Sequence, residues 1–143
     1  MVKFIPYELT LALRSKILRN NLPLAECVFP TDQVAGAFHL GYDKGEEIAT
    51  VASFFPQHYK DRKEPGYQLR GMATDHGFSG KGYGSQLIKF AISYIKNTNA
   101  QYIWCNARKS AVEFYEKLGF VKVSAEFDVP GIGPHYEMIL NLY

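Results

Sequence analysis

Apolar positions recur along this chain with two different periods, and the switches between them mark its elements. Val2 to Tyr7 reads as a short strand. Leu9 to Arg19 has helical spacing, with Leu9, Leu13 and Ile17 on one face and Leu11 and Leu18 nearby; Asn20, Asn21 and Pro23 end it. Pro23 and Pro30 keep the stretch from Leu24 to Asp32 irregular. Ala35 to Tyr42 and Glu46 to Phe55 read as a hairpin around Asp43-Lys44-Gly45, and Gln57 to Gly66 as a polar loop. From Tyr67 to Thr74 the pattern alternates again, then breaks at Gly80, Gly82 and Gly84. A helical pattern follows from about Gly82 to Thr98, carried by Leu87, Ile88, Ala91, Ile92 and Ile95. Gln101 to Asn106 is a compact aromatic and β-branched strand. Ser110 to Leu118 is a further helix, with Ser110 and Glu113 spaced as a capping box and Gly119 as its left-handed end. Phe120 to Phe127 and Tyr136 to Leu142 read as closing strands. The order predicts a mixed α/β sheet with helices on both faces, in which the strand–helix–strand unit from Tyr67 to Asn106 pairs in parallel.

Composition narrows the class. At 143 residues, 47% of them hydrophobic, with ten Tyr and ten Phe, the chain predicts one globular domain. A net charge of +2 is too small to argue for nucleic acid, and Asp61 and Glu64 interrupt the Lys60, Arg62, Lys63 cluster. Cys27 and Cys105 stand far apart without metal-ligand spacing, so buried thiols and no metal are expected. Arg14, Lys16 and Arg19 break any apolar leader, and no segment is suited to span a bilayer; a cytoplasmic location is the default expectation.

The glycine turn carries the first chemical signal. A loop with little side-chain bulk lets backbone amides approach an anion, and a helix start adds unpaired N–H groups and the positive end of its dipole. A dinucleotide fingerprint would need its glycines after the first strand and an acid about 20 residues on. A P-loop would need Lys before Ser85, where Gly84 stands. Neither matches.

Two further stretches give the turn a context. Asn106-Ala107, then Ala111-x-x-Phe114-Tyr115-x-x-Leu118-Gly119-Phe120, resembles motif B of the GNAT acetyltransferase superfamily. Ser79-Gly80-Lys81-Gly82-Tyr83-Gly84 resembles motif A, with Ser79 where Gln or Arg is usual. That departure removes a long side-chain donor and leaves the backbone amides. The resemblance covers about Tyr67 to Phe120, and Gly131 to Met138 looks like the C-terminal hairpin of small members. It implies a mostly antiparallel sheet with a central, splayed parallel strand pair. It also implies an N-acetyltransferase that moves an acetyl group from acetyl-CoA to a small-molecule or peptide amine in a ternary complex. The alternative is an inactive acyl-CoA-binding sensor of the same fold. Since members are often dimers, a homodimer is compatible with it.

Site residues follow from the resemblance. Ser79, Gly80, Lys81, Gly82, Tyr83, Gly84 and Ser85 would hold the phosphates of coenzyme A, and Met72, Ala73 and Thr74 its thioester and pantetheine arm. Gly71, a glycine inside a strand, predicts a bulge there. Asn106 either contacts that arm or serves as a turn residue. Tyr115 is the candidate proton donor to the leaving thiolate by the motif; by spacing alone it reads as a core aromatic. A phenol titrates near ~10 and a thiol near ~8.5, so a hydrogen bond to the developing charge counts as much as full transfer. His135 is the candidate base, with Glu137 and a water relay as alternatives. Phe29, Asp32 and Arg70 are acceptor-site candidates, and Arg70 would suit a carboxylate unless it serves an ordinary salt bridge.

Overall fold

A computed structural model describes residues 1–143. Its strands are β1 (Val2–Ile5), β2 (Phe38–Asp43), β3 (Ile48–Pro56), β4 (Gly66–Thr74), β5 (Tyr102–Arg108), β6 (Val121–Lys122), β7 (Phe127–Val129) and β8 (Gly133–Asn141). They form one sheet in the order β1-β2-β3-β4-β5-β8-β6, with β7 also on β8. Every pairing is antiparallel except β4 with β5. That parallel contact is brief: Gly66–Tyr102, Tyr67–Ile103 and Gln68–Trp104. Beyond it β4 follows β3 while β5 follows β8, so the two strands part and leave a wedge between them.

A bulge shapes one wall of the wedge. Val51 pairs with Ala73 and Ser53 with Arg70, so Gly71 and Met72 together oppose Ala52. Gly71 holds φ +65°, which any Cβ would strain, and a Cβ built there would stand 3.1 Å from Phe29 and 3.2 Å from Arg14 Nε.

Adjacent strand residues face opposite sides of the sheet, and each side receives its own helices. Helix α2 (Tyr83–Ile95) buries Leu87, Ile88, Ala91 and Ile95 against Phe38, Leu40, Ala52, Phe54, Leu69 and Ile103. Each large aliphatic side chain removed from water there contributes about 1.5–3 kcal/mol. Helix α3 (Val112–Lys117) adds Val112 and Tyr115 to the same cluster. On the other side, Leu13 packs on Val51 and Ala73. It belongs to α1, a composite of a 3-10 turn at Tyr7–Thr10, an α turn at Leu11–Leu13 and a π turn at Arg14–Leu18.

Three local expectations are corrected. Leu9 is 51% exposed and Arg14 only 1%, so the apolar face expected on α1 is displaced and a cation points inward. The Ser110–Glu113 capping box does not form: Lys109–Ala111 is already a 3-10 turn, α3 begins at Val112, and no side chain caps it. The strand expected over Phe120 to Phe127 is two short ones, β6 and β7, each on a separate part of β8. Gly119 does close α3, with φ +99°.

Candidate active site

Two cavities meet at the wedge. The first, about 640 Å³, runs along the α2 N-terminus and is lined by Met72, Ala73, Thr74, the whole stretch from Phe78 to Ser85, and Phe114. Gly80 (φ +77°) and Gly82 (φ +80°) are left-handed, as the tight turn requires, with open space where a Cβ would stand. The first hydrogen bond of α2 runs from Gln86 N to the Gly82 carbonyl, and no side chain caps the helix. The amides of Tyr83, Gly84 and Ser85 therefore lack intrahelical partners and present donors at the positive end of the dipole. Tyr83 is anchored by stacking on Tyr42 at 3.9 Å and by accepting a hydrogen bond from Lys44 Nζ at 3.1 Å. Gly84 has a different role from the other two glycines: a Cβ there would stand 3.4 Å from Phe114, so it allows α2 to lie close to α3.

Sequence reasoning missed two cations on this groove, Lys89 and Lys117, which join Lys81. Lys89 stands four residues after Ser85, one helical turn along, and this spacing could have revealed it. Lys117 could not have been found so, because α3 reaches the groove only through the fold. No carboxylate lines the cavity. Of the Met72 to Thr74 segment, Ala73 is 2% exposed and packs in the core beneath α1, and the Thr74 hydroxyl is engaged with Thr50 Oγ1 at 3.0 Å. What this stretch offers a ligand is mainly its backbone.

The second cavity, about 300 Å³, fills the wedge and is lined on its flanks by Phe29, Arg70, Asn106, Tyr115 and His135. It shares Met72 and Phe114 with the groove, so the two spaces join there. Five predicted residues from five separate chain segments thus converge. Tyr115 is 6% exposed and its hydroxyl makes no hydrogen bond within the chain. Burial, and then the neighbouring Cys105, pushes its pKa well above the usual phenol value, so it stays a neutral donor. Cys105 itself is raised to about 12 by burial and is inert as a nucleophile.

His135 is buried and its Nδ1 lies 2.8 Å from the Gly133 carbonyl. A carbonyl only accepts, so Nδ1 carries the proton and Nε2 of the neutral ring is left as an acceptor. Glu137, the alternative base, is committed elsewhere: it accepts from Tyr59 Oη at 3.1 Å and pairs with Lys60 at 3.1 Å, and it does not line the cavity. Asn106 is exposed on β5 with its side chain unengaged, in the wedge and not in the groove at the α2 N-terminus.

Against the wedge lies a polar cluster built on Arg14, which lines the cavity; it takes up Asp32, an acceptor-site candidate that does not itself line the cavity. Arg14 donates to both oxygens of Asp32, at 2.7 and 2.8 Å, to the Cys27 carbonyl at 3.0 Å and to Ser53 Oγ at 2.8 Å. Both side chains of the ion pair are 1% exposed. Asp32 also accepts from the Phe29 amide at 2.8 Å, and His39 bridges Ser53 Oγ and the Asp32 carbonyl. Burial lowers the His39 pKa, against the opposing pull of Asp32. The cluster holds the Phe29 loop against the sheet.

A splayed parallel pair, a glycine turn at a helix start, and a buried tyrosine between them coincide with a family match. The model of the acetyltransferase (GNAT) domain matches residues 31–142. The chain belongs to the GNAT acetyltransferase family. This GNAT chain is 39% identical over 142 residues to the uncharacterized N-acetyltransferase YitI of Bacillus subtilis strain 168, covering 99% of its own length and 95% of that protein. Its fold matches Escherichia coli ElaA with a TM-score of 0.77 at 18% identity, covering 98% of this chain and 99% of that one. It matches an aminoglycoside 6'-N-acetyltransferase solved with coenzyme A with a TM-score of 0.74 at 13% identity, covering 100% and 97%. The expected cofactor, acetyl-CoA or coenzyme A, is that of the family, and the unpaired amides and three lysines of the groove fit it. No helix is long and apolar enough to cross a membrane.

Proposed function

We propose that this GNAT protein is an acetyl-CoA-dependent N-acetyltransferase that moves the acetyl group directly to a small amine held in the wedge. The observation that carries this is the junction at Met72 and Phe114, where the anion-binding groove opens into a cavity lined by Tyr115 and His135. Acetyl-CoA supplies an activated thioester. The amides from Gly80 to Ser85, with Lys81, Lys89 and Lys117, bind its phosphates. Backbone groups of β4 beyond Gln68, left without a β5 partner, pair with the pantetheine amides and offer an N–H to the thioester carbonyl. Asn106 adds a side-chain contact to the same arm.

His135 Nε2 takes the proton of the attacking amine. Tyr115 Oη donates to the departing sulfur. Because burial raises the phenol further above a thiol, complete transfer from Tyr115 is uphill, and its contribution is a hydrogen bond to the developing thiolate. A sensor that only bound the coenzyme would have no use for an unengaged phenol and a free imidazole Nε2 in the wedge.

The test is isothermal titration with acetyl-CoA followed by thiol release across a panel of amines. Tight binding with amine-dependent release is expected. Binding without release from any amine would leave only the coenzyme-binding half.

A further inference from the structure

The wedge cavity has a charge pattern that the acetyl-transfer chemistry does not require. Four arginines line it, Arg14, Arg19, Arg70 and Arg108, together with His135, and no Asp or Glu does. Asp32 neutralises Arg14 alone. The other three have no carboxylate partner anywhere in the chain. Arg108 gives one hydrogen bond, to the Leu18 carbonyl at 3.3 Å.

Arg70 stands out among them. It is half-buried on β4 directly before the bulge and makes no hydrogen bond. Its guanidinium lies 4.1 Å from the Phe29 ring centroid, and that of Arg14 lies 3.8 Å from the same centroid. The Phe29 ring therefore fixes the plane of the Arg70 fork without using its donors. Arg14 Nε is a second donor without a partner, on a side chain that is 1% exposed. A partly desolvated cation with unused donors, beside further cations, is costly unless an anion completes it. Two parallel N–H groups in one plane match a carboxylate.

We propose that the acceptor is a small amine that also bears a carboxylate, of the size of a free amino acid, with that carboxylate on Arg70. The rim charges of Arg19 and Arg108 draw it in. The cavity of about 300 Å³ admits such a molecule and leaves its amine to reach the Tyr115 and His135 side of the wedge. A polycationic amine such as a polyamine or an aminoglycoside meets only like charge here. This rests on the acetyl-transfer function proposed above and names its substrate class.

The experiment compares free amino acids with their own carboxamides, with phosphoethanolamine and with spermidine. Thiol release from acetyl-CoA is measured, and separately binding of each compound to the protein saturated with coenzyme A, where no chemistry occurs. The free acids should be used and bound at least about tenfold better than their carboxamides. Arg70→Gln should raise KM for the acids by a similar factor with little change in kcat, raise it for the carboxamides much less, and leave acetyl-CoA affinity unaltered. Arg108→Gln should act in the same direction, more weakly, and lessen the salt dependence. Equal use of acids and carboxamides, preference for spermidine or phosphoethanolamine, or an Arg70→Gln effect identical for both series would overturn the proposal. If the acids bind the loaded protein selectively but no thiol is released, the carboxylate site at Arg70 stands and acetyl transfer falls. If no acid binds, the assignment falls whatever the catalytic result.

Discussion

The groove and the wedge are built by opposite means. The groove is built of backbone: left-handed Gly80 and Gly82, and the uncapped start of α2, all within one short stretch. The wedge is built of side chains from α1, the Phe29 loop, β4, β5, α3 and β8. A backbone site tolerates change in the rest of the molecule, because its donors come with the local turn. A side-chain site depends on the packing that aims it. Here much of that packing is the buried Arg14–Asp32 pair beneath Phe29.

Stability should therefore separate the two regions first. Asp32→Ala leaves a buried guanidinium without its partner, and should destabilise the protein by about 3–5 kcal/mol in urea unfolding. A change below 1 kcal/mol would mean that the cluster is not what supports the wedge. Gly82→Glu sets a negative side chain where phosphates belong. It should weaken acetyl-CoA binding on the order of 100-fold, or about 2.7 kcal/mol, while the fold survives. Unchanged affinity by calorimetry would remove the backbone seat. In the wedge, Tyr115→Phe should lower kcat by about 100-fold and leave acetyl-CoA binding nearly intact. A mutant as active as the parent excludes Tyr115 as the donor.

Alkaline pH sharpens the comparison with a smaller effect. Cys105 is raised to about 12 and Tyr115 well above its usual value, both by burial first. From about pH 8.5 upward the unfolded chain releases these protons while the folded chain keeps them, so stability falls as pH rises. The slope is up to about 1.4 kcal/mol per pH unit for each group in its window. Cys105→Ala should flatten the loss between pH 9 and 11, as read by urea midpoints; the same slope in the variant would show that another group titrates there. Smallest of all are the groove's exposed lysines. Lys89→Gln and Lys117→Gln should each weaken acetyl-CoA binding by about two- to fivefold and reduce its salt dependence.

How much of the site was legible follows the same division. Gly80, Gly82, Lys81 and Ser85 are contiguous, and a local turn is written in local residues. Tyr115 was reached through its motif, since helical spacing cannot tell a catalytic phenol from a core one, and its burial satisfies both descriptions. The strands from Ala35 to Thr74 were readable because their apolar and β-branched runs are bounded by the Asp43-Lys44-Gly45 turn and the polar Gln57 to Gly66 loop. The Ser110 capping box failed because a 3-10 turn shifted the helix start by a residue or two, a choice that tertiary packing makes. Arg14 was hidden for a stronger reason. An arginine in an apolar helix reads as solvent-facing, and only Asp32, placed opposite it by the return of the loop, makes its burial tolerable.

By itself the sequence determined the elements with strong periodicity, the bulge glycine at Gly71, the left-handed glycine turn before α2 and the family. Each of these is a property of residues near one another along the chain, where conformational preference and hydrophobic period act. Only the tertiary structure decided that β4 and β5 part after Gln68, that Phe29 lies against both Arg14 and Arg70, and that His135 enters the wedge while Glu137 is tied to Tyr59 and Lys60. Those are relations between distant segments, set by sheet register and by the pairing of buried charge, and no local pattern encodes them.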